Sequence, residues 1–188
     1  MTGPTRTVRN SLIDKVRTFT LRADALHWSE DGGQGELAYD DVRDMRLVAY
    51  ASPGGRTFQC TLRGHKGGKV KLRSHHYESV GMFEDRTATY APFVQDLARR
   101  AAAAAPDAKF VAGSTALWIV WLVVGVLCAL VVVLLILSLF EGLLAAGAAL
   151  VAIVICLAAI PRVWRHAREG NARAFDPAAP PPDLLGMS

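Results

Sequence analysis

The run Ala116–Phe140, ALWIVWLVVGVLCALVVVLLILSLF, is followed by Glu141-Gly142 and then by LLAAGAALVAIVICLAAI (Leu143–Ile160), and the reading of this stretch decides the architecture. A bilayer core ~30 Å thick needs ~20 apolar residues in a helix rising ~1.5 Å per residue. The first run exceeds that length, and the second reaches it by Pro161. Neither contains a charge, and Glu141 is the only one between them. In hydrocarbon every backbone amide must find its partner within its own segment, so each run is expected to be a helix and the pair a hairpin. The alternative is buried core helices of a soluble protein, which need neither this length nor this freedom from charge. Transmembrane helices are therefore predicted over 116–140 and 143–164.

Working outward, the 188 residues are 52% hydrophobic, but the average hides a split at about Ala112. Before it the sequence is mixed and charged, enough for one small soluble domain of ~110 residues. The N-terminus, MTGPTRTVRNSLIDKV, has no apolar stretch of the kind a cleavable signal needs, so the first membrane helix is expected to act as the insertion signal. Arg99, Arg100 and Lys109 precede that helix, and Arg162, Arg165, Arg168 and Arg173 follow the second. Because positive residues stay on the cytoplasmic side, both termini are predicted cytoplasmic, Glu141 external, and the chain a multi-pass protein of the plasma (inner) membrane. Cys60, Cys128 and Cys156 are scattered, without ligand-like neighbours, and read as reduced small hydrophobes.

The soluble part has the period of short strands. Residues 1–15 are expected as an N-terminal arm, and strands over 16–21, 25–28, 35–39, 42–51, 56–63 and 69–74, separated by turn clusters such as Glu30-Asp31-Gly32-Gly33 and Ser52-Pro53-Gly54-Gly55. In the fifth, Phe58, Cys60 and Leu62 should face one way and Thr57, Gln59, Thr61 and Arg63 the other. Residues 77–86 are less regular, with Met82-Phe83 as a short strand or plug. The period then becomes helical: Tyr90, Phe93, Leu97, Ala101 and Ala104 share a face, Thr87 or Thr89 serves as N-cap and Pro92 lies in the first turn, giving a helix over about 88–105. Asp107-Ala108-Lys109 is expected as a hinge. The tail, 165–188, carries Pro180-Pro181-Pro182 and is expected to be loose and extended, with Leu184-Leu185 as the pair able to dock.

The opening FTLRADALHW, the stretch GELAYDDVRDMRLV and the late helix YAPFVQDL give a pattern that resembles a pleckstrin-homology-like (PH-like) domain. The whole resembles small bacterial membrane proteins that carry a cytoplasmic PH-like domain beside a transmembrane hairpin. The resemblance implies an α+β soluble domain, an antiparallel PH-like β-barrel or meander over 16–110 capped by a C-terminal helix, followed by a two-helix transmembrane hairpin. It implies membrane association and recognition of lipid or protein, and no enzymatic activity.

The sharpest polar feature is Arg63, Lys66, Lys69, Lys71 and Arg73, uninterrupted by any acid. On two strands joined by a glycine turn, Arg63, Lys69, Lys71 and Arg73 should share one face, with Lys66 at the tip. Near an anionic leaflet each Lys or Arg contributes ~1 kcal/mol of attraction. The alternative is a solvated outer face that protects a sheet edge. An acidic set, Glu30, Asp31, Glu36, Asp40, Asp41 and Asp44, matches no calcium loop and reads as turn chemistry. His75 and His76 are adjacent on a strand and point to opposite faces, so no metal site and no cofactor is expected. No glycine-flanked serine, HExxH or phosphate loop is present, and a net charge of +4 split into patches gives little support to nucleic-acid binding. In the membrane runs the small residues Gly125, Ala129, Gly142, Ala146 and Ala149 permit close helix contact within the hairpin or in a homo-oligomer.

These features together predict a non-enzymatic membrane-anchored adaptor that presents a cytoplasmic domain to anionic headgroups of the lipid bilayer or to another membrane protein. The alternative is an accessory subunit of a membrane complex whose domain binds a protein partner.

Overall fold

Strand alternation in the first half of the chain sends Phe19, Leu21, Leu26 and Leu37 to one side, and that is the side on which a core forms. The computed structural model describes residues 3–9, 12–52, 55–80, 82–140 and 172–187, with the single positions 154, 158 and 161. It divides into two units, Met1–Ala112 together with Arg173–Ser188, and Gly113–Ala172.

In the first unit β1 (Thr5–Val8), β2 (Arg17–Leu21), β3 (Ala25–Glu30) and β4 (Gly33–Ala38) form an antiparallel sheet in chain order. After a 3-10 turn at Tyr39–Asp41, β5 (Val42–Ser52), β6 (Gly55–Gly64) and β7 (Lys69–Arg73) form a second meander. A hairpin of β8 (His75–Ser79) and β9 (Met82–Asp85) leads to helix α1 (Thr87–Ala104). Two short strands then extend the second sheet: β10 (Lys109–Ala112) runs parallel to β5, and β11 (Arg173–Ala174) runs antiparallel to β10. The apolar face of α1, with Tyr90, Phe93, Val94, Leu97 and Ala101, packs into one core with Met45, Leu47, Cys60, Leu62 and Leu72. Each large side chain so buried favours the fold by ~1.5–3 kcal/mol.

Arg6 joins the parts of this unit. Its side chain is only 4% exposed. One amino group donates to the carbonyl oxygen of Arg86 at 3.1 Å and to Thr89 Oγ1 at 2.7 Å. The other donates to the carbonyl oxygens of Arg73 at 2.9 Å and Ser74 at 3.3 Å. The guanidinium also lies 5.4 Å from the centre of the Tyr90 ring. A single side chain thus ties β1 to the end of β7 and to the start of α1. Arg86 reciprocates, donating to the Thr7 carbonyl oxygen at 2.9 Å. Burial lowers the Arg6 pKa to about 10, so the group stays charged at neutral pH.

Several expectations are corrected. Thr5–Val8 lies within the expected arm, yet it is a strand, because Val8 is fully buried and its register with β2 completes a sheet edge. Residues 77–86, expected as irregular, are mostly the β8–β9 hairpin, braced by the edge-to-face pair Tyr77 and Phe83. Helix α1 begins at Thr87, so neither threonine caps it. Instead the Asp85 carboxylate accepts the Thr87 N–H at 2.9 Å, Pro92 falls in the second turn, and Ala104 lies outside the buried face. The expected hinge at Asp107-Ala108-Lys109 runs directly into β10.

The tail is the largest difference. Its described residues, 172–187, are not loose: Phe175 donates its N–H to the Phe110 carbonyl oxygen at 3.1 Å and stacks edge-to-face on the Phe110 ring. Leu184 and Leu185 are buried in the core, and Pro180 is buried. Gly186 has φ +76°, and a Cβ there would stand 2.3 Å from Thr87 and 2.7 Å from the Phe58 ring. Proline-rich composition does not preclude order when two leucines find a slot; docking offsets the ordering entropy.

In the second unit α2 spans Thr115–Phe140. Its segment Trp118–Ser138 is long and apolar enough to cross a membrane, and none of it is buried. The helix expected over 143–164 lies outside the described residues, apart from the helical positions Val154, Ala158 and Pro161.

Arg6→Lys keeps the charge and loses the planar fork, and is expected to destabilise the chain by about 3 kcal/mol. Thermal unfolding in detergent, followed by circular dichroism, reads the shift; an unchanged midpoint would mean that the four acceptors need no fork. Leu185→Ala is expected to cost ~2–5 kcal/mol, whereas Met187→Ala, at an exposed position, should change stability by less than ~0.5 kcal/mol.

Candidate functional site

The pleat of β7 sends Val70 and Leu72 inward, and Lys69, Lys71 and Arg73 therefore line the opposite face. Across the ladder Arg63 pairs with Lys69, Thr61 with Lys71 and Gln59 with Arg73. Arg73 Nε donates to Gln59 Oε1 at 3.1 Å, which fixes the base of its side chain. Lys69, Lys71 and Arg73 border a cleft of about 270 Å³, closed on the other side by Arg17 and Asp14. That is just under the ~300 Å³ where drug-sized ligand pockets begin, and suits a small anionic group such as a phosphate.

The five basic residues picked out in the sequence are not all brought to this cleft. Lys69, Lys71 and Arg73 meet at the cleft. Arg63 stands beside Lys69 but turns to Asp44, its guanidinium 4.0 Å from that carboxylate. Lys66 is exposed on the β6–β7 turn, away from the cleft. Ala112 aligns with Leu47, Leu47 with Cys60, and Cys60 with Leu72. Strand β10 therefore ends level with Leu72, beside Arg73, and the Lys66 turn lies at the other end of the sheet.

Arg17 was invisible to pattern reading. It opens β2, far from β7 in the chain, and only the packing of the two sheets brings it to the cleft. Its guanidinium is paired with the Glu30 carboxylate, so Asp14 and Glu30 partly offset the four cations. A net positive surface remains.

The loop between β1 and β2 is held at the rim. Arg9 Nε donates to the Asp14 carbonyl oxygen at 2.9 Å, and an amino group of Arg9 donates to the Leu12 carbonyl oxygen at 2.7 Å. The Arg9 N–H donates to His76 Nδ1 at 3.0 Å, and its guanidinium lies over the Tyr77 ring. His76 is held below its ordinary pKa of 6.5, first by burial and then by the Arg86 charge.

The other candidates separate. His75 is buried and shares its Nδ1 with Thr57 and Ser74 hydroxyls at 3.1 Å, on the opposite side of the strand from His76. Glu30 and Asp44 of the acidic set are in ion pairs, and Asp41 accepts the His65 N–H through its carbonyl oxygen. Among the described residues no group of three His, Cys, Asp or Glu side chains is placed to hold a metal ion. Cys60 is fully buried in the core, and desolvation pushes its thiol pKa up, away from reactivity.

The depressed His76 pKa has a sign. The folded chain holds the ring neutral, so its contribution is present above pH 6.5 and is lost as pH falls through the lowered folded value. Melting midpoints measured from pH 7.5 to 5.5 are expected to fall in the wild type and to fall less in His76→Gln; parallel curves would assign the loss to other groups. No protein-family model, no curated protein and no solved structure matches this chain.

Proposed function

We propose that the chain is a non-enzymatic, membrane-anchored adaptor whose folded domain, PH-like in its order of meanders and late helix, rests against an anionic lipid surface. The cleft of Arg17, Lys69, Lys71 and Arg73 carries this reading. It is a concave cationic site, held by a strand ladder, on a domain joined to an apolar helix. Apolar side chains on every face of α2 require an apolar cover, and a bilayer supplies one. Covalent attachment to that helix confines the domain to the neighbourhood of the membrane, and a cationic surface that meets anionic lipid is attracted over the ~8 Å screening length of physiological salt.

Two passes, with both termini on one side, agree with the strand ladder. The chain leaves the domain after Ala112 and rejoins it at Arg173, the residue paired with Ala112 in register. A segment whose two ends meet on neighbouring strands crosses a bilayer an even number of times. The basic residues Arg162, Arg165, Arg168 and Arg173 after the second apolar run favour the cytoplasmic side for those ends.

The test uses the full chain in nanodiscs, because the domain includes the tail and a fragment ending near Lys109 would lack Leu184 and Leu185. Acylation of lysines, read by mass spectrometry, is expected to drop at Lys69 and Lys71 in discs containing phosphatidylglycerol relative to pure phosphatidylcholine, and high salt should restore it. Equal labelling in both lipids would remove the lipid reading and favour a protein partner for the domain.

A further inference from the structure

Ile13 is 91% exposed and its neighbour Leu12 is 58% exposed, on a loop that also carries Val16 at 44%. Consecutive large apolar side chains in water are unfavourable unless something covers them. Their display is imposed rather than incidental: Arg9 binds the carbonyl oxygens of Leu12 and Asp14, and Lys15 donates to the Asp31 carbonyl oxygen. The loop is thus braced at Leu12 and again just after Ile13.

A second apolar tip accompanies it. Val80, after β8, is 83% exposed, and Met82, which opens β9, is 59% exposed. Arg6 binds the Ser74 carbonyl oxygen, and Tyr77 donates its N–H to the Arg9 carbonyl oxygen. The contact therefore advances along both segments together, so β1 and β8 run side by side in the same direction. Leu12 and Ile13 follow β1 in the chain, and Val80 follows β8. Directly beside the first tip lies the cationic cleft, to which Asp14 of the same loop belongs.

We infer that Leu12 and Ile13, with Val80 and Met82 of the β8–β9 hairpin, form a docking surface that enters the interfacial layer of an anionic bilayer while Arg17, Lys69, Lys71 and Arg73 engage its headgroup phosphates. This rests on the lipid reading of the cleft and adds the part of the domain that enters the membrane. Charge complementarity selects this occupant. Exposed apolar tips flanked by lysine and arginine match a surface with an apolar interior beneath a negative layer, as amphipathic interfacial segments do. A predominantly apolar groove of a protein partner would add no negative charge to a cleft whose four cations outnumber Asp14 and Glu30.

The experiment places the photoreactive p-benzoylphenylalanine at position 13 of the full chain, and separately at the exposed position Gln34 as a control, in nanodiscs with and without phosphatidylglycerol. Irradiated chains are weighed for phospholipid adducts. The expected result is about tenfold more lipid adduct at position 13 than at position 34, the contrast between a side chain at the acyl boundary and one in water. Adduct should also fall when Lys69, Lys71 and Arg73 are replaced by alanine. Lysine footprinting on the same samples separates the two claims. Protection of Lys69 and Lys71 without adduct at 13 overturns the insertion and leaves the headgroup contact standing. Adduct at 13 that is equal in neutral and anionic discs upholds the insertion and overturns the anionic requirement. Neither signal, or cross-linking of position 13 only to a second copy of the chain, overturns both.

Discussion

A buried guanidinium organises the folded domain. Removing Arg6 from water costs several kcal/mol, and only an array of acceptors offsets such a cost. Three main-chain carbonyl oxygens and one threonine hydroxyl provide that array, and they come from segments distant in the chain. Both amino groups find these acceptors only when β1, the end of β7 and the first turn of α1 meet, while Nε stays buried without a partner. Partial assembly leaves the buried charge with still fewer acceptors, which is worse than leaving it in water. That penalty favours a single arrangement of the two sheets and the helix over looser alternatives. The planar fork of arginine makes this possible, because its two amino groups diverge toward separate pairs of acceptors.

A second constraint is covalent. The chain departs from the domain after β10 and returns as β11 on the adjacent position of the same sheet. The two-residue ladder by itself would be weak. Its anchorage is apolar: Phe175 on Phe110, and Leu184 and Leu185 in the core beside α1. The proline-rich link between them restricts the unfolded chain, which lowers the entropy lost on docking. The tail is therefore part of the domain, and both ends of the intervening segment are fixed to neighbouring strands.

Electrostatics and hydrophobicity act on the same side of the domain. The cleft is positive despite Asp14 and Glu30, and the loop that contributes Asp14 also displays Leu12 and Ile13. Long-range attraction and short-range burial have different ranges: screened charge acts over roughly a Debye length, and apolar contact only at the surface. On the proposed lipid reading the two would act in turn, charge drawing a tethered domain toward an anionic surface and apolar contact holding it there. The Arg9 N–H to His76 Nδ1 hydrogen bond at the base of the loop needs the neutral ring that burial favours.

Local pattern was sufficient for much of this molecule. The period of two marked β2 through β7, the period of three to four marked α1, and the uncharged run Ala116–Phe140 marked α2, because in each the burial requirement repeats often enough along the chain to be read. The cluster Lys69, Lys71 and Arg73 was legible for the same reason. What the tertiary structure alone decided are the features that depend on one distant contact each. Four residues of β10 and two of β11 carry no period of their own, and exist as strands because β5 is there to pair with them. Arg17 belongs to the cleft, Arg6 to the interior and Leu185 to the core only because sheets far apart in sequence pack together. A composition-based expectation treated the prolines as disorder, and the slot that orders them is made by residues elsewhere in the chain.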